Sequence, residues 1–117
     1  MEVRAISRNL PMSPQKVREV VRQIQGLPAR QAAAVLAVVP RKSARLVAKT
    51  LQSALANAED LKRNKREYRD LNTDNLRIKE AVAQTAYRLK RYQPKARGSA
   101  GPILKRHCHV RIVLTDR

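Results

Sequence analysis

The chain has 117 residues, with 26 Lys or Arg against 9 Asp or Glu, a net charge of +17 and a pI of about 11.4. That length suits one domain with one modest core. With no Phe and no Trp, burial falls to Val, Leu, Ile and Ala, which favours close-packed helices on a small sheet over an aromatic-rich enzyme pocket.

A compact state so positive repels itself, and nucleic acid is the commonest polyanion that would neutralise it. An anionic membrane surface would want Trp or Phe anchors on an amphipathic helix. No run nears the roughly 18 apolar residues of a membrane span, so no membrane partner is expected. The opening residues, MEVRAISRNLPMSPQK, hold no apolar segment or cleavage site of a secretory signal. The lone cysteine, Cys108, has no internal disulfide partner. Both features predict a cytosolic protein, or one in the equivalent compartment of an organelle.

Residues 2–8 alternate in part and predict a short strand. Next, Ser13 is a fitting N-cap and Pro14 a fitting first helical residue. Val17, Val20, Val21 and Ile24 fall on one helical stripe, and Gly26 ends it. Lys16, Arg18 and Arg22 lie off that stripe. A second helix starts after Pro28, with Ala32, Val35, Leu36 and Val39 on its inner face. Pro40 separates it from a longer helix over 41–61, whose stripe is Ala44, Val47, Ala48, Leu51, Ala54, Leu55 and Ala58. Arg41, Arg45 and Lys49, with Lys42 beside them, form a basic ridge about 12 Å long. No acid stands at i+4 to pair with it, which favours phosphate contact over plain solvation.

The segment KRNKREYRDLNTDN is polar and without period, and reads as a loop or a frayed extension of the third helix. Lys62, Arg63, Lys65, Arg66 and Arg69 within it fit a solvated surface as well as a phosphate contact. LRIKEAVAQTAY then predicts a strand, with Leu76, Ile78 and Val82 on one face and Arg77 and Lys79 on the other. A further strand at the C-terminus has Cys108, Val110, Ile112 and Leu114 facing one way and His107, His109, Arg111 and Thr115 the other.

Between these strands lies the most charged part of the chain. Residues 88–110, RLKRYQPKARGSAGPILKRHCHV, hold 7 Lys or Arg and no acid. Strands on both sides and Pro94, Gly98, Gly101 and Pro102 at the centre describe a hairpin with an overlong connection. Roughly ten residues per side would reach about 30 Å, beyond a core this small. An isolated ribbon is marginal in water, so the arm, about 84–110, is expected to be ordered mainly by what it contacts. Arg88, Lys90, Arg91, Lys95, Arg97, Lys105 and Arg106 would meet phosphates, and Tyr92 would stack on a base.

Alternation puts Cys108 opposite His107 and His109, so the three cannot converge on a metal ion. The nine acids sit in no catalytic motif, and no phosphate-binding Gly-rich loop or nucleophile signature is present. Neither a metal, a cofactor nor an enzymatic activity is expected.

SPQKVREVV, RKSARLVAKTLQSALANAE, DNLRIKEA and LKRYQPKARGSAGPILKR with a following HV strand together resemble the bacterial-type large-subunit ribosomal protein 22 family. The resemblance runs over nearly the whole chain in the right order, and LKR-x-x-P-K/R-A-R/K-G is its most specific part. It implies an α+β fold, three helices packed on a small antiparallel three-stranded sheet with a long protruding basic β-hairpin, in agreement with the reading of the residues. It also implies a structural protein of the large ribosomal subunit that supports assembly. The body would sit near the exit of the peptide tunnel, beside neighbouring large-subunit proteins. The hairpin would thread through 23S-type rRNA and line the tunnel, with Tyr92, Gln93, Pro94, Lys95, Ala96, Arg97 and Gly98 at its tip beside the nascent polypeptide. Such a protein belongs in the cytoplasm, or in a plastid stroma.

The chain departs from the family pattern in three places. Thr85-Ala86-Tyr87 stands where an acidic-Gly-Pro turn is common, and His107-Cys108 where Thr-Ser is typical. The linker LKRNKREYRDLNTDN is longer and more basic than usual. A competing reading is an architectural DNA-bending protein with Pro-tipped basic β-arms. Such proteins usually dimerise, whereas the apolar stripes here can all be used within one three-helix body, and no homo-oligomer is expected.

Overall fold

The computed structural model describes residues 1–116. Among these, the chain runs β1 (Glu2–Leu10), α1 (Pro14–Ile24), α2 (Ala29–Val38), α3 (Lys42–Asn64), β2 (Arg77–Pro94) and β3 (Ala100–Thr115). The strands form one antiparallel sheet in the order β1-β3-β2, with the last strand in the middle. The expected α+β architecture, with its long hairpin, is the one observed.

The core lies between the helices and one face of the sheet. Cys108, Val110, Ile112 and Leu114 of β3 are all fully buried, as their alternation predicts. Val3 and Ala5 flank them from β1, and Ile78, Ala81 and Ala83 from β2. α1 buries Val17, Val20, Val21 and Ile24 over β2, while α3 buries Ala44, Val47, Leu51, Ala54 and Ala58. The alanines thin α3 and let it approach the sheet closely. The buried Thr50 hydroxyl is satisfied at the edge of this core: Ser7 Oγ and Thr50 Oγ1 are 2.7 Å apart, and Thr50 also donates to Leu46 O at 3.1 Å.

α1 stops where its sequence says it should. Gly26 takes the left-handed conformation, φ +77°, that glycine adopts without a Cβ penalty. Its N–H donates to Ile78 O at 3.0 Å, and Ile78 N–H donates back to Leu27 O at 2.9 Å. The turn between α1 and α2 is thereby stitched to β2.

Three local features depart from the sequence reading. Val82 does not share a face with Ile78. The register slips between Ile78 and Glu80, a β-bulge that places Ala81 and Ala83 toward the core. Simple alternation cannot foresee an inserted residue. The basic segment 62–75, read as a loop or an extension of the third helix, begins as that extension, since α3 continues to Asn64, but then holds short 3₁₀ turns at Arg66–Tyr68 and Thr73–Asn75 that the reading did not include. Leu71, between them, is 1% exposed and plugs the core. A lone apolar residue in a polar run carries no periodicity to announce it.

The molecule is far from spherical. Its radius of gyration is 17.6 Å and its extents are 66 × 27 × 16 Å, against about 13 Å for the radius of gyration of a globular chain of this length. The excess is the β2–β3 hairpin. β1 pairs with β3 no further than Cys108, so past that residue the ribbon has only two strands, ending at Pro94 and Ala100.

Two outcomes follow for the isolated chain. Leu71→Ala should lower the unfolding free energy by about 2–5 kcal/mol, whereas Leu104→Ala, on the arm, should change it by no more than about 0.5 kcal/mol; urea denaturation separates the two. Burial pushes the Cys108 thiol above its ordinary pKa, outweighing the opposite pull of Arg18. The protonated, buried thiol should react with an aromatic disulfide reagent no faster than the chain unfolds, and at once in denaturant. Rapid labelling of the native chain would mean that the helices do not cover this face.

Candidate nucleic-acid interface

Past the body, β2 and β3 pair as Arg88 with Arg106, Leu89 with Lys105, Lys90 with Leu104, Arg91 with Ile103 and Tyr92 with Pro102. Alternation puts Arg88, Lys90, Tyr92 and Arg106 on one face of the ribbon and Arg91 and Lys105 on the other. Cations therefore cover both faces. Arg88 and Arg106 stand directly opposite each other, a like-charge pair that destabilises an isolated ribbon. Every residue from Lys90 to Ala100 is exposed. Tyr92 is 68% exposed, and Lys90 Nζ lies 5.7 Å from the centre of its ring.

The tip is a defined turn. Arg97 (φ +61°) and Gly98 (φ +71°) are successive left-handed residues, the pattern of a tight hairpin turn. Ser99 N–H and its hydroxyl both donate to Ala96 O, at 3.4 and 2.9 Å, and Lys95 N–H donates to Ser99 O at 2.6 Å. The Lys95 side chain lies across Gly101, where a Cβ would come within 2.6 Å of Lys95 Cε. Small residues thus keep the tip narrow.

At the root, α1 and the ribbon enclose an open cleft of about 820 Å³, bordered by Arg18, Arg22, Arg88 and Arg106. A second groove, of about 850 Å³, holds Lys16, Lys42, Lys105 and Arg106. Arg18 is held in place by donating Nε–H to Ala83 O at 3.1 Å. The structure therefore gathers Lys16, Arg18 and Lys42 with the arm's own root cations. Arg45 and Lys49 are exposed on α3 but line neither groove. Arg41 sits at the N-cap of α3 and forms an ion pair with Glu19 of α1, a tertiary partner invisible to i+4 spacing.

Charge is segregated along the molecule. The other ion pairs among the described residues, Lys79–Glu2, Arg30–Asp74, Arg111–Glu80 and the N-terminus with Asp116, all lie on the body. No acid occurs between Ala81 and Thr115, and none of the cations from Arg88 to Arg106 is in an ion pair with a described residue.

One contact went unread in the sequence. Between Thr85 and Arg88 the register slips again, so that Ala86 and Tyr87 together oppose His107. There the Tyr87 and His107 rings stack, with centroids 4.5 Å apart and planes at 18°. These residues occupy two of the three departures from the family pattern, and they are in contact. His109 accepts a hydrogen bond at Nδ1 from Asn9 N–H at 3.0 Å, while Cys108 points into the core.

The family model described as Ribosomal protein L22p/L17e matches residues 5–115. The chain is 50% identical over 116 residues to the protein "Large ribosomal subunit protein uL22" of Opitutus terrae, covering 99% of this chain and 96% of that one. It is 46% identical over 117 residues to the protein of the same name in Methylacidiphilum infernorum, covering 100% and 96%. For the Staphylococcus aureus protein the identity is 42% over 116 residues, covering 99% and 93%. The match runs over nearly the whole chain, body and ribbon alike, and the chain belongs to the ribosomal protein L22p/L17e family, whose members are structural components of the ribosome and not enzymes.

Proposed function

We propose that this chain is a constituent of the large ribosomal subunit that binds 23S-type rRNA, supports subunit assembly, and lines part of the nascent-peptide exit tunnel with its arm. The observation that carries this reading is the ribbon itself: 7 cations and no acid over residues 88–110, paired strand to strand but without a core of its own. Membership of a ribosomal family supplies the polyanion. The relatives above are bacterial, which supports a ribosome in a bacterial cytoplasm.

In this reading the body docks through Lys16, Arg18, Arg41, Lys42, Arg45 and Lys49. The arm passes between RNA backbones with Arg88, Lys90, Arg91, Lys95, Arg97, Lys105 and Arg106 against phosphates and Tyr92 against a base. Each phosphate neutralised releases about 0.7–0.9 of a counterion, so many weak contacts sum to tight, salt-sensitive binding. Extended cations with few base-reading groups suit recognition of RNA shape. The repulsion between Arg88 and Arg106 is then relieved by the phosphates between which they sit. The narrow tip, Tyr92, Gln93, Pro94, Lys95, Ala96, Arg97 and Gly98, faces the nascent polypeptide, and the body rests against neighbouring large-subunit proteins. The chain is read as one RNA-binding domain, with no bond chemistry assigned to it.

Sedimentation of a lysate tests the assignment. The protein should co-migrate with the large subunit at one copy per particle and withstand moderate salt. Recovery free of ribosomes, with the nucleoid, would overturn it in favour of DNA binding. A photo-cross-linker placed at Arg97 should then capture nascent chains during translation, whereas one at Gln52, exposed on α3, should not.

Arg106→Ala makes a charge prediction of unusual sign. It should leave the unfolding midpoint of the isolated chain unchanged or raise it, because a like-charge pair is removed. It should also weaken binding to large-subunit rRNA and reduce the slope of log K against log salt by about 1. A lower midpoint with an unchanged slope would show that Arg106 serves the fold and not the RNA.

A further inference from the structure

We propose that the stacked Tyr87–His107 pair at the root of the arm is a platform for one unpaired RNA base, whose phosphate is held by the surrounding arginines. The proposal rests on the RNA-binding reading above and specifies a subsite within it.

The bulge is the first observation. A hairpin that needed only to extend would keep its pairing regular. Here an extra residue is accommodated at Ala86–Tyr87, opposite His107, and bulges re-aim side chains. The result is a pair of flat rings in near-parallel contact at 4.5 Å. Tyr87 remains 50% exposed in that stack. Its contact with His107 covers one side, while the exposed remainder can receive another flat group.

The second observation is where the pair sits. Tyr87 and His107 line the cleft of about 820 Å³ together with Arg18, Arg22, Arg88 and Arg106. The one acid lining that cleft, Glu19, is paired with Arg41, so its charge is already countered. A flat aromatic surface ringed by cations matches the two halves of a nucleotide, a planar uncharged base and an anionic phosphate. A base in a duplex has both faces stacked already, so the site selects an unpaired one, and it tolerates any sequence because every base has a π-face. Arg18, anchored to Ala83 O, is the cation best fixed to meet the phosphate.

Two stem-loop RNAs test this, identical but for one unpaired adenosine bulged from the stem. Binding is measured to the full chain in a Tyr92→Leu background, which leaves Tyr87 as the only tyrosine on the arm. The chain with Tyr87 should prefer the bulged RNA. Tyr87→Leu should lower affinity for it by about 5- to 150-fold, the range of one base–aromatic stack. Affinity for the fully paired stem and the salt slope should stay unchanged, and Tyr87→Phe should restore the preference. If Tyr87→Leu and Tyr87→Phe bind both RNAs as the parent does, with strong salt dependence, the platform is wrong and the RNA-binding reading stands. If no form binds either RNA in a salt-dependent way, the RNA-binding reading falls and the platform with it.

Discussion

The antiparallel ladder between β2 and β3 is the interaction on which the rest of this structure depends. It begins in the body, where β3 is paired on both sides, and runs on past Cys108 with β2 alone. The buried half of β3, with Ile112 and Leu114 at zero exposure, anchors the exposed half. Backbone hydrogen bonds then carry the direction of the strands outward, over a stretch where side chains repel and no core forms. The arm is aimed by the body and need not hold itself there by packing.

Electrostatics divides the molecule along the same line. The body balances part of its charge internally, through Arg111 with Glu80 at 2.7 Å, Arg30 with Asp74 at 3.2 Å, and Arg41 with Glu19. Exposed pairs of this kind contribute little to stability. Their effect is to offset part of the body's positive charge locally. The arm has no such internal balance, since no acid lies between Ala81 and Thr115. Its like charges are therefore left to repel one another unless a partner of opposite charge neutralises them. The two β-bulges in β2 fall on either side of this division. The first restores Ala81 and Ala83 to the core, and the second lifts Tyr87 onto His107 where the body ends.

Much of the fold was legible because its signals are local and periodic. The three helices, the Gly26 stop and the alternating face of β3 each follow from spacing within a short window. The hairpin was legible for a different reason: strands flanking a stretch with Pro94, Gly98, Gly101 and Pro102 leave few other options. What escaped depends on single residues or on partners distant in the chain. Leu71 fills the core from a polar segment with no period. Val82 lost its face to one inserted residue. The pairing of Arg41 with Glu19 spans 22 positions, which no i+4 rule can reach.

The candidate interface divides in the same way. Composition and order alone determined that the chain is a strong polycation and that its charge is concentrated in one extended stretch. Those are properties of residue identity and order, set before any folding. Only the tertiary structure decided which cations lie together. Lys16, Arg18 and Lys42 join the arm's root because α1 and the start of α3 pack against it, while Arg45 and Lys49 remain apart on an open helix face. Tyr87 and His107, twenty residues apart in sequence, meet because the strands fold back on each other and a bulge adjusts the register. Spacing along a chain reports which residues share an element, whereas contact between elements depends on packing and register, which no local pattern encodes.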